Sequence, residues 1–264
     1  MPKFAANLSM LFTEVPFAQR FERAARAGFA WVECQFPYEL PASEVRALLD
    51  AHGLNMVLHN LPAGDWAAGD RGIACDPARV DEFRAGVTRA IEYATTLGVK
   101  KINCLAGKLP ATVSEQQARQ TLIDNLRYAA AALAPHGIQL LTEPINRFDI
   151  PGFYLDSTAK ALSVLDEVGE PDVLLQYDVY HAQRMEGELA GTLEKNLARI
   201  GHIQIADNPG RHEPGTGEIR FPFLFALLDR LGYQGVIGAE YIPAGTTEAG
   251  LVWRSALASA ASVT

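Results

Sequence analysis

Residues 127–146 read RYAAAALAPHGIQLLTEPIN. An alanine-rich, helix-forming run stops at Gly137, a short apolar strand follows, and the strand runs out at Glu143-Pro144. Glycine takes the left-handed cap at a helix end with little strain, so the chain turns there and re-enters as a strand. The same punctuation recurs along the chain. Gly28 precedes FAWVECQF, Gly53 precedes LNMVLHN, and Gly98 precedes VKKINCLAG. Gly169 precedes EPDVLLQYDVYH, Gly201 precedes HIQIAD, and Gly232 precedes YQGVIGAEYI. With residues 4–10 as an opening strand, the total is eight.

Helical patterns fill the intervals, at about 15–27, 43–52, 77–97, 114–135, 157–168, 188–200, 222–231 and 247–262. Ser114 with Gln117 forms a capping-box pattern, and Asp76-Pro77 an N-cap followed by proline at the first helical position. Strands alternating with helices pair in parallel through right-handed crossovers. Eight is the number at which such a sheet closes over a filled interior. The chain is therefore expected to be of the α/β class, a single (β/α)8 TIM barrel with residues 1–264 as one domain. A doubly wound open sheet would call for a GxGxxG after the first strand, and none is present.

The side chains at the carboxyl ends of the strands decide the chemistry, because active sites of such barrels sit there. Alternation along the strands puts Leu140 and Thr142, Leu175 and Tyr177, Ile203 and Ile205, and Ile237 and Ala239 on one face. The opposite face carries Glu143, Asp178, Gln204 and Glu240, one from each of four consecutive strands. Three carboxylates in a low-dielectric mouth need protons or a cation. Three carboxylates and an amide oxygen make a hard, all-oxygen set that suits Mg²⁺ or Mn²⁺ better than Zn²⁺.

Composition narrows the function classes. The net charge is −8 with pI near 5.3, so a nucleic-acid partner gains little from counterion release. Cys34, Cys75 and Cys104 are odd in number and widely spaced, which fits idle thiols in a reducing compartment. The amino terminus lacks a signal-peptide pattern, and no run of about 18 apolar residues predicts a membrane span. A cytoplasmic protein with neither nucleic-acid nor membrane partner is expected. The helix at 251–261 is apolar and alanine-rich, and either closes the outer ring or joins a second copy in a homo-oligomer.

Five blocks carry a resemblance: AANLSMLF at 5–12, LTEPIN at 141–146, QYDVYH at 176–181, HIQIAD at 202–207 with its continuation through PGR to PGTGEI at 219, and GAEY at 238–241. They are similar to the hydroxypyruvate isomerase family, within the xylose-isomerase-like barrel superfamily. The resemblance implies that Glu143, Asp178, Gln204 and Glu240 bind a divalent cation, and that Glu143 and Glu240 are the catalytic proton donor and acceptor. Relatives that epimerise ketoses often carry His in place of Gln204, and the departure tilts the expectation toward Mg²⁺ over Mn²⁺. The resemblance also implies that His181 contacts the substrate. The expected substrate is a small 2-oxo or 3-oxo hydroxy acid, and the named reaction interconverts hydroxypyruvate and 2-hydroxy-3-oxopropanoate through an enediolate. Isomerisation of a 2-oxo-tetronate, 3-epimerisation of a ketose and plain small-molecule binding are the alternatives. A phosphodiesterase on this fold would want more His ligands and a basic surface.

A substrate carboxylate calls for a cation. Arg211, in the loop after the seventh strand, has the planar fork for it, and Lys108, after the fourth, is second. His59 closes the third strand and is either a mouth residue that polarises a substrate oxygen or a packed histidine. His52 and His136 precede helix-ending glycines and favour the helix dipole, and His202 is expected to be an interior structural residue. Loop 62–75, with Trp66 inside it, has the length of a lid, and loop 209–217 lies above the expected site.

Overall fold

The computed structural model describes residues 2–254. Eight parallel strands form a closed barrel in sequence order: β1 Lys3–Asn7, β2 Trp31–Cys34, β3 Asn55–Asn60, β4 Lys101–Cys104, β5 Gln139–Thr142, β6 Val173–Asp178, β7 Ile200–Ile205 and β8 Val236–Ala239. β8 closes on β1, with Phe4 opposite Ile237 and Ala6 opposite Ala239. Around it lie α1 Phe17–Arg26, α2 Ala42–His52, α3 Val80–Leu97, α4 Glu115–Leu133, α5 Thr158–Val168, α6 Val179–Met185, α7 Leu189–Asn196, α8 Phe221–Arg230 and α9 Thr247–Gly250. The expected TIM barrel is the architecture found. The closing helix is described only to Arg254, and the remainder of 251–261 lies outside the described residues.

Outward side chains join the barrel to its helices. Phe4 stacks edge-on against Phe225 of α8 and against Trp253, with ring centroids 5.3 and 4.9 Å apart. Burying an aromatic or Leu side chain of this kind contributes about 1.5–3 kcal/mol. The glycine signal works as anticipated at Gly137, whose φ of +62° caps the turn between α4 and β5. It fails at Gly201. That residue lies inside β7 with no left-handed backbone, and a Cβ there would stand 2.5 Å from Leu141 Cδ2. Gly201 is there because β7 packs closely on the barrel interior.

A second departure shapes the site. Residues 179–181 continue the sixth strand in the sequence reading, but the strand ends at Asp178 and α6 starts at once. Asp178 Oδ1 accepts from the backbone N–H of Tyr180 at 2.7 Å and of His181 at 3.4 Å. The carboxylate caps the helix and bends the chain out of the sheet. Loop 62–75 is pinned rather than free. Gly72 pairs with Ala106, Cys75 N–H donates to Ala106 O, and Arg79 holds Asp70 at 2.7 Å.

Candidate active site

Glu143, Asp178, Gln204 and Glu240 meet at the carboxyl end of the barrel, all of them buried. Asp178 lies directly opposite Gln204 in the sheet register, and Gln204 opposite Gly238. Glu143 and Glu240 follow strands three places apart in a ring of eight, so they approach the mouth from facing sides. Their surroundings are alike. Glu143 Oε2 accepts from Asn103 Nδ2 and Gln176 Nε2, both at 2.9 Å. Glu240 Oε1 accepts from Asn7 Nδ2 at 3.0 Å and Gln35 Nε2 at 2.7 Å. Each carboxylate has one oxygen held by two carboxamides. Its other oxygen meets a cationic or imidazole nitrogen.

His181 is held in one tautomer. Asn146 Oδ1 accepts from the backbone N–H of Phe148 at 3.1 Å and of Asp149 at 2.9 Å. Those bonds turn the Asn146 amide nitrogen toward His181 Nδ1, 2.7 Å away. Nδ1 must therefore accept, and the ring proton sits on Nε2. Nε2 lies 3.6 Å from Asp178 Oδ2 and 3.9 Å from Glu143 Oε1. Burial, with the charges of Arg211 and Arg184, keeps the imidazole neutral well below its ordinary pKa. A neutral ring with a fixed Nε2–H is a hydrogen-bond donor at that nitrogen and offers an ion no lone pair there.

Arg211 reaches in from loop 209–217. Asp207 organises that loop by accepting from the backbone N–H of Asn208, Gly215 and Ile219 at 2.9, 2.8 and 3.0 Å. Arg211 itself has φ +57°, a left-handed conformation that favours glycine and that clusters at functional sites. Its Nη2 donates to Glu240 Oε2 at 2.9 Å and to Asp178 Oδ2 at 3.4 Å, while its Nε is buried without a partner.

The donor set fits a hard divalent cation. Burial first, then the charges of Glu240 and Asp178, pushes Glu143 well above the usual carboxylate range. Burial outweighs Arg211 at Glu240, which is raised to about 7, and raises Asp178 as well. If all three ionise, one guanidinium leaves the charge of one divalent ion uncompensated, so the mouth takes up either protons or such an ion. Ligand atoms of Glu143, Asp178 and His181 lie within 4.8 Å of one another. With His181 presenting a donor, Glu143 and Asp178 are the oxygens of that group that could hold such an ion, with Glu240 and the Gln204 oxygen beside them at the ends of β8 and β7.

Two sequence candidates do not reach the mouth. His59 pairs in the sheet with Cys34 and Ile102, both outward core residues, so its ring leaves the barrel on the outer face. There it packs edge-on against Tyr38, and its Nδ1 donates to Asn60 O at 3.0 Å. His59 is corrected to a packed histidine, because alternation gives the inward position to Asn60. Lys108 is exposed and donates to Gly69 O at 3.1 Å, which ties it to loop 62–75. His202 is interior as expected, 2.7 Å from Glu33 Oε2.

The sequence reading passed over Asn7, Glu33, Gln35, Asn103, Asn146 and Gln176. Three of these had a usable signal. Asn7, Glu33 and Asn103 are polar residues on the inward phase of short apolar strands, FAAN, WVEC and KINC.

Residues 21–260 match the model of the xylose isomerase-like TIM barrel family. The chain is 56% identical over 253 residues to hydroxypyruvate isomerase of Escherichia coli, covering 96% of this chain and 98% of that one. It is 48% identical to 2-oxo-tetronate isomerase of Cupriavidus necator, covering 96% and 97%. A solved Brucella melitensis structure, named an AP endonuclease of family 2, superposes with a TM-score of 0.94 at 44% identity over 97% of this chain and 99% of that one.

Proposed function

The chain belongs to the hydroxypyruvate isomerase family of xylose isomerase-like TIM barrels, and from that membership we propose that it interconverts hydroxypyruvate and 2-hydroxy-3-oxopropanoate (tartronate semialdehyde), with Mg²⁺ or Mn²⁺ as cofactor. The observation that carries this reading is the matched pair of glutamates, facing each other with one oxygen of each immobilised.

The reaction moves one carbon-bound hydrogen from C3 to C2 and one hydroxyl proton between their oxygens. A bound divalent cation supplies Lewis acidity at an α-hydroxy carbonyl, which acidifies the C–H beside it. Glu143 and Glu240 divide the proton traffic, one carboxylate accepting from C3 and the other carboxyl delivering to C2 of the enediolate. Their amide-held oxygens fix the direction of each free lone pair, so little reorganisation is needed as the proton moves. His181 donates Nε2–H to the oxygen on which charge develops. Arg211 Nε, buried and without a partner, is a donor open to the substrate's carboxylate. Burial of the mouth excludes water, which protects the enediolate from stray protonation.

Relatives named 2-oxo-tetronate isomerases, at 48, 46 and 43% identity, favour a second reading in which the acid has four carbons. The nuclease name of the Brucella melitensis structure finds no support in a chain of net charge −8, which would repel a polyanion. Chelation with EDTA is expected to abolish hydroxypyruvate turnover, and added Mg²⁺ or Mn²⁺ to restore it. Full turnover by protein shown to be metal-free by elemental analysis overturns the cofactor. A metal-loaded enzyme that prefers the four-carbon acid overturns the named substrate.

A further inference from the structure

An unbroken line of hydrogen bonds crosses the barrel floor and joins the two glutamates. Asn7 Nδ2 donates to Glu240 Oε1 and to Glu33 Oε1, each at 3.0 Å. Gln204 Nε2 donates to the same Glu33 Oε1 at 2.7 Å. Gln176 Nε2 then donates to Gln204 Oε1 at 2.7 Å and to Glu143 Oε2 at 2.9 Å. An ionised carboxylate only accepts, so every amide that touches one must turn its NH₂ toward it. Gln204 is the one link that uses both ends of its amide in this line.

We propose that Glu33 is a positioning residue that holds the Gln204 amide so that its oxygen, and not its nitrogen, is presented to the divalent cation. This rests on the metal-dependent reading above. Glu33 is fully buried beneath the mouth, and its second oxygen is anchored by His202 Nε2 at 2.7 Å. By drawing the Gln204 NH₂ toward itself it leaves the carbonyl oxygen on the side of Gln176 and, through it, of Glu143. One lone pair there is taken by Gln176, and the second is free for a hard ion. Without Glu33 the Gln204 NH₂ is buried and unpaired, which costs the amide its fixed orientation. The glycine in β8 makes room for this arrangement. A Cβ at Gly238 would stand 2.4 Å from both carboxylate oxygens of Glu33, and Gly238 has no left-handed backbone of its own.

The test titrates Mg²⁺ calorimetrically into EDTA-stripped protein and follows thermal unfolding of each metal-free form. Glu33→Leu is expected to weaken Mg²⁺ binding by about 10–100-fold, the usual effect of losing a partner behind a metal ligand. Glu33→Gln is expected to restore most of the affinity, since one amide oxygen accepts both NH₂ groups and the new NH₂ faces His202 Nε2, which accepts it once the ring proton sits on Nδ1. Gly238→Ala, whose new methyl meets the Glu33 carboxylate before any other group, should lose affinity as Glu33→Leu does, even if the latter fails to fold. Equal losses in Glu33→Gln and Glu33→Leu would mean that charge and not orientation matters, and would overturn the proposal. Unchanged affinity in Gly238→Ala, or in a folded Glu33→Leu, overturns it too. Wild-type protein that binds no Mg²⁺ at all ends the metal reading itself, a result separable from any difference among variants.

Discussion

The two halves of the barrel rim are built from different chemistry. The half formed by β5 to β8 contributes Glu143, Asp178, Gln204 and Glu240, three of them acids. The half formed by β1 to β4 contributes Asn7 and Asn103, with Gln35 just beyond β2, and each donates an amide proton to a glutamate of the other half. Its one buried acid, Glu33, is spent on Asn7, Gln204 and His202. The first half gathers the acids, with Gln176 of β6 bracing Glu143 from within it, and the second supplies the remaining amides that fix where the two glutamates point. Neutral carboxamides suit the second task, because they donate without adding charge to a mouth that already holds three carboxylates.

The sharpest way to break this division is to neutralise the acidic half. Glu143→Gln and Glu240→Gln keep an oxygen but remove the base. Each is expected to lower kcat by about 10²–10⁴-fold, the usual contribution of general acid–base catalysis. Exchange of substrate C–H with solvent deuterium should fall in step. A variant that keeps wild-type turnover would reduce its glutamate to a ligand.

Arg211 should come next. Losing a charge-assisted pair to the substrate carboxylate costs about 1.5–3 kcal/mol, so Arg211→Ala is expected to lower kcat/KM for hydroxypyruvate by roughly 10–150-fold. A neutral analogue such as glyceraldehyde should lose far less, and Arg211→Lys should recover only part. An unchanged ratio between the two substrates would leave Arg211 as a counter-ion of Glu240 and Asp178 alone.

The amide half should cost less per residue. Asn103→Ala removes one donor from Glu143 and leaves Gln176 in place. The Asn103 oxygen is buried without a partner, so no second bond is lost with it. A net hydrogen bond of about 0.5–1.5 kcal/mol translates to a fall in kcat of roughly 2–12-fold. A loss as large as that of Glu143→Gln would erase the distinction between the two halves.

The same contrast explains what the sequence disclosed. Helix-ending glycines and eight alternations are local signals, and they announced the barrel. Carboxylates in phase on β5 to β8 stood out because an acid at the end of an apolar strand is costly without a partner. Asn7 and Asn103 are in the same phase, but an amide is tolerated in many settings and carries no such penalty. The Asn7–Glu240 and Glu33–Gln204 contacts join residues far apart in the chain, and only closure of the barrel brings them together. His59 failed for a different reason. Its distance from the strand end was right, but its phase belonged to the outer face, and the phase of β3 is set by its pairing with β2 and β4.

His59 thus offers the smallest effect on chemistry and a clean effect on stability. Burial depresses its pKa to about 4 despite the opposing bond to Asn60 O, while the unfolded chain titrates near 6.5. Between those values the unfolded state binds the extra proton, so stability rises with pH across the window. The contribution is full above about pH 6.5 and drains away as the pH falls to about 4, for a total of about 3 kcal/mol. The ring packs on Tyr38, which in turn meets Tyr93 and Arg89, and burial and the bond to Asn60 O set the balance without a carboxylate of the mouth. His59→Asn keeps a donor for Asn60 O and cannot titrate. Its unfolding free energy, measured by urea melts from pH 7 to 4, should fall less steeply than that of the wild type, while kcat/KM at neutral pH stays within about twofold, because residues on opposite faces of a strand share no partners. Parallel pH slopes would show that His59 is already protonated in the fold. A large loss of kcat/KM without loss of stability would return the residue to the mouth and undo the assignment of inner and outer faces on β3.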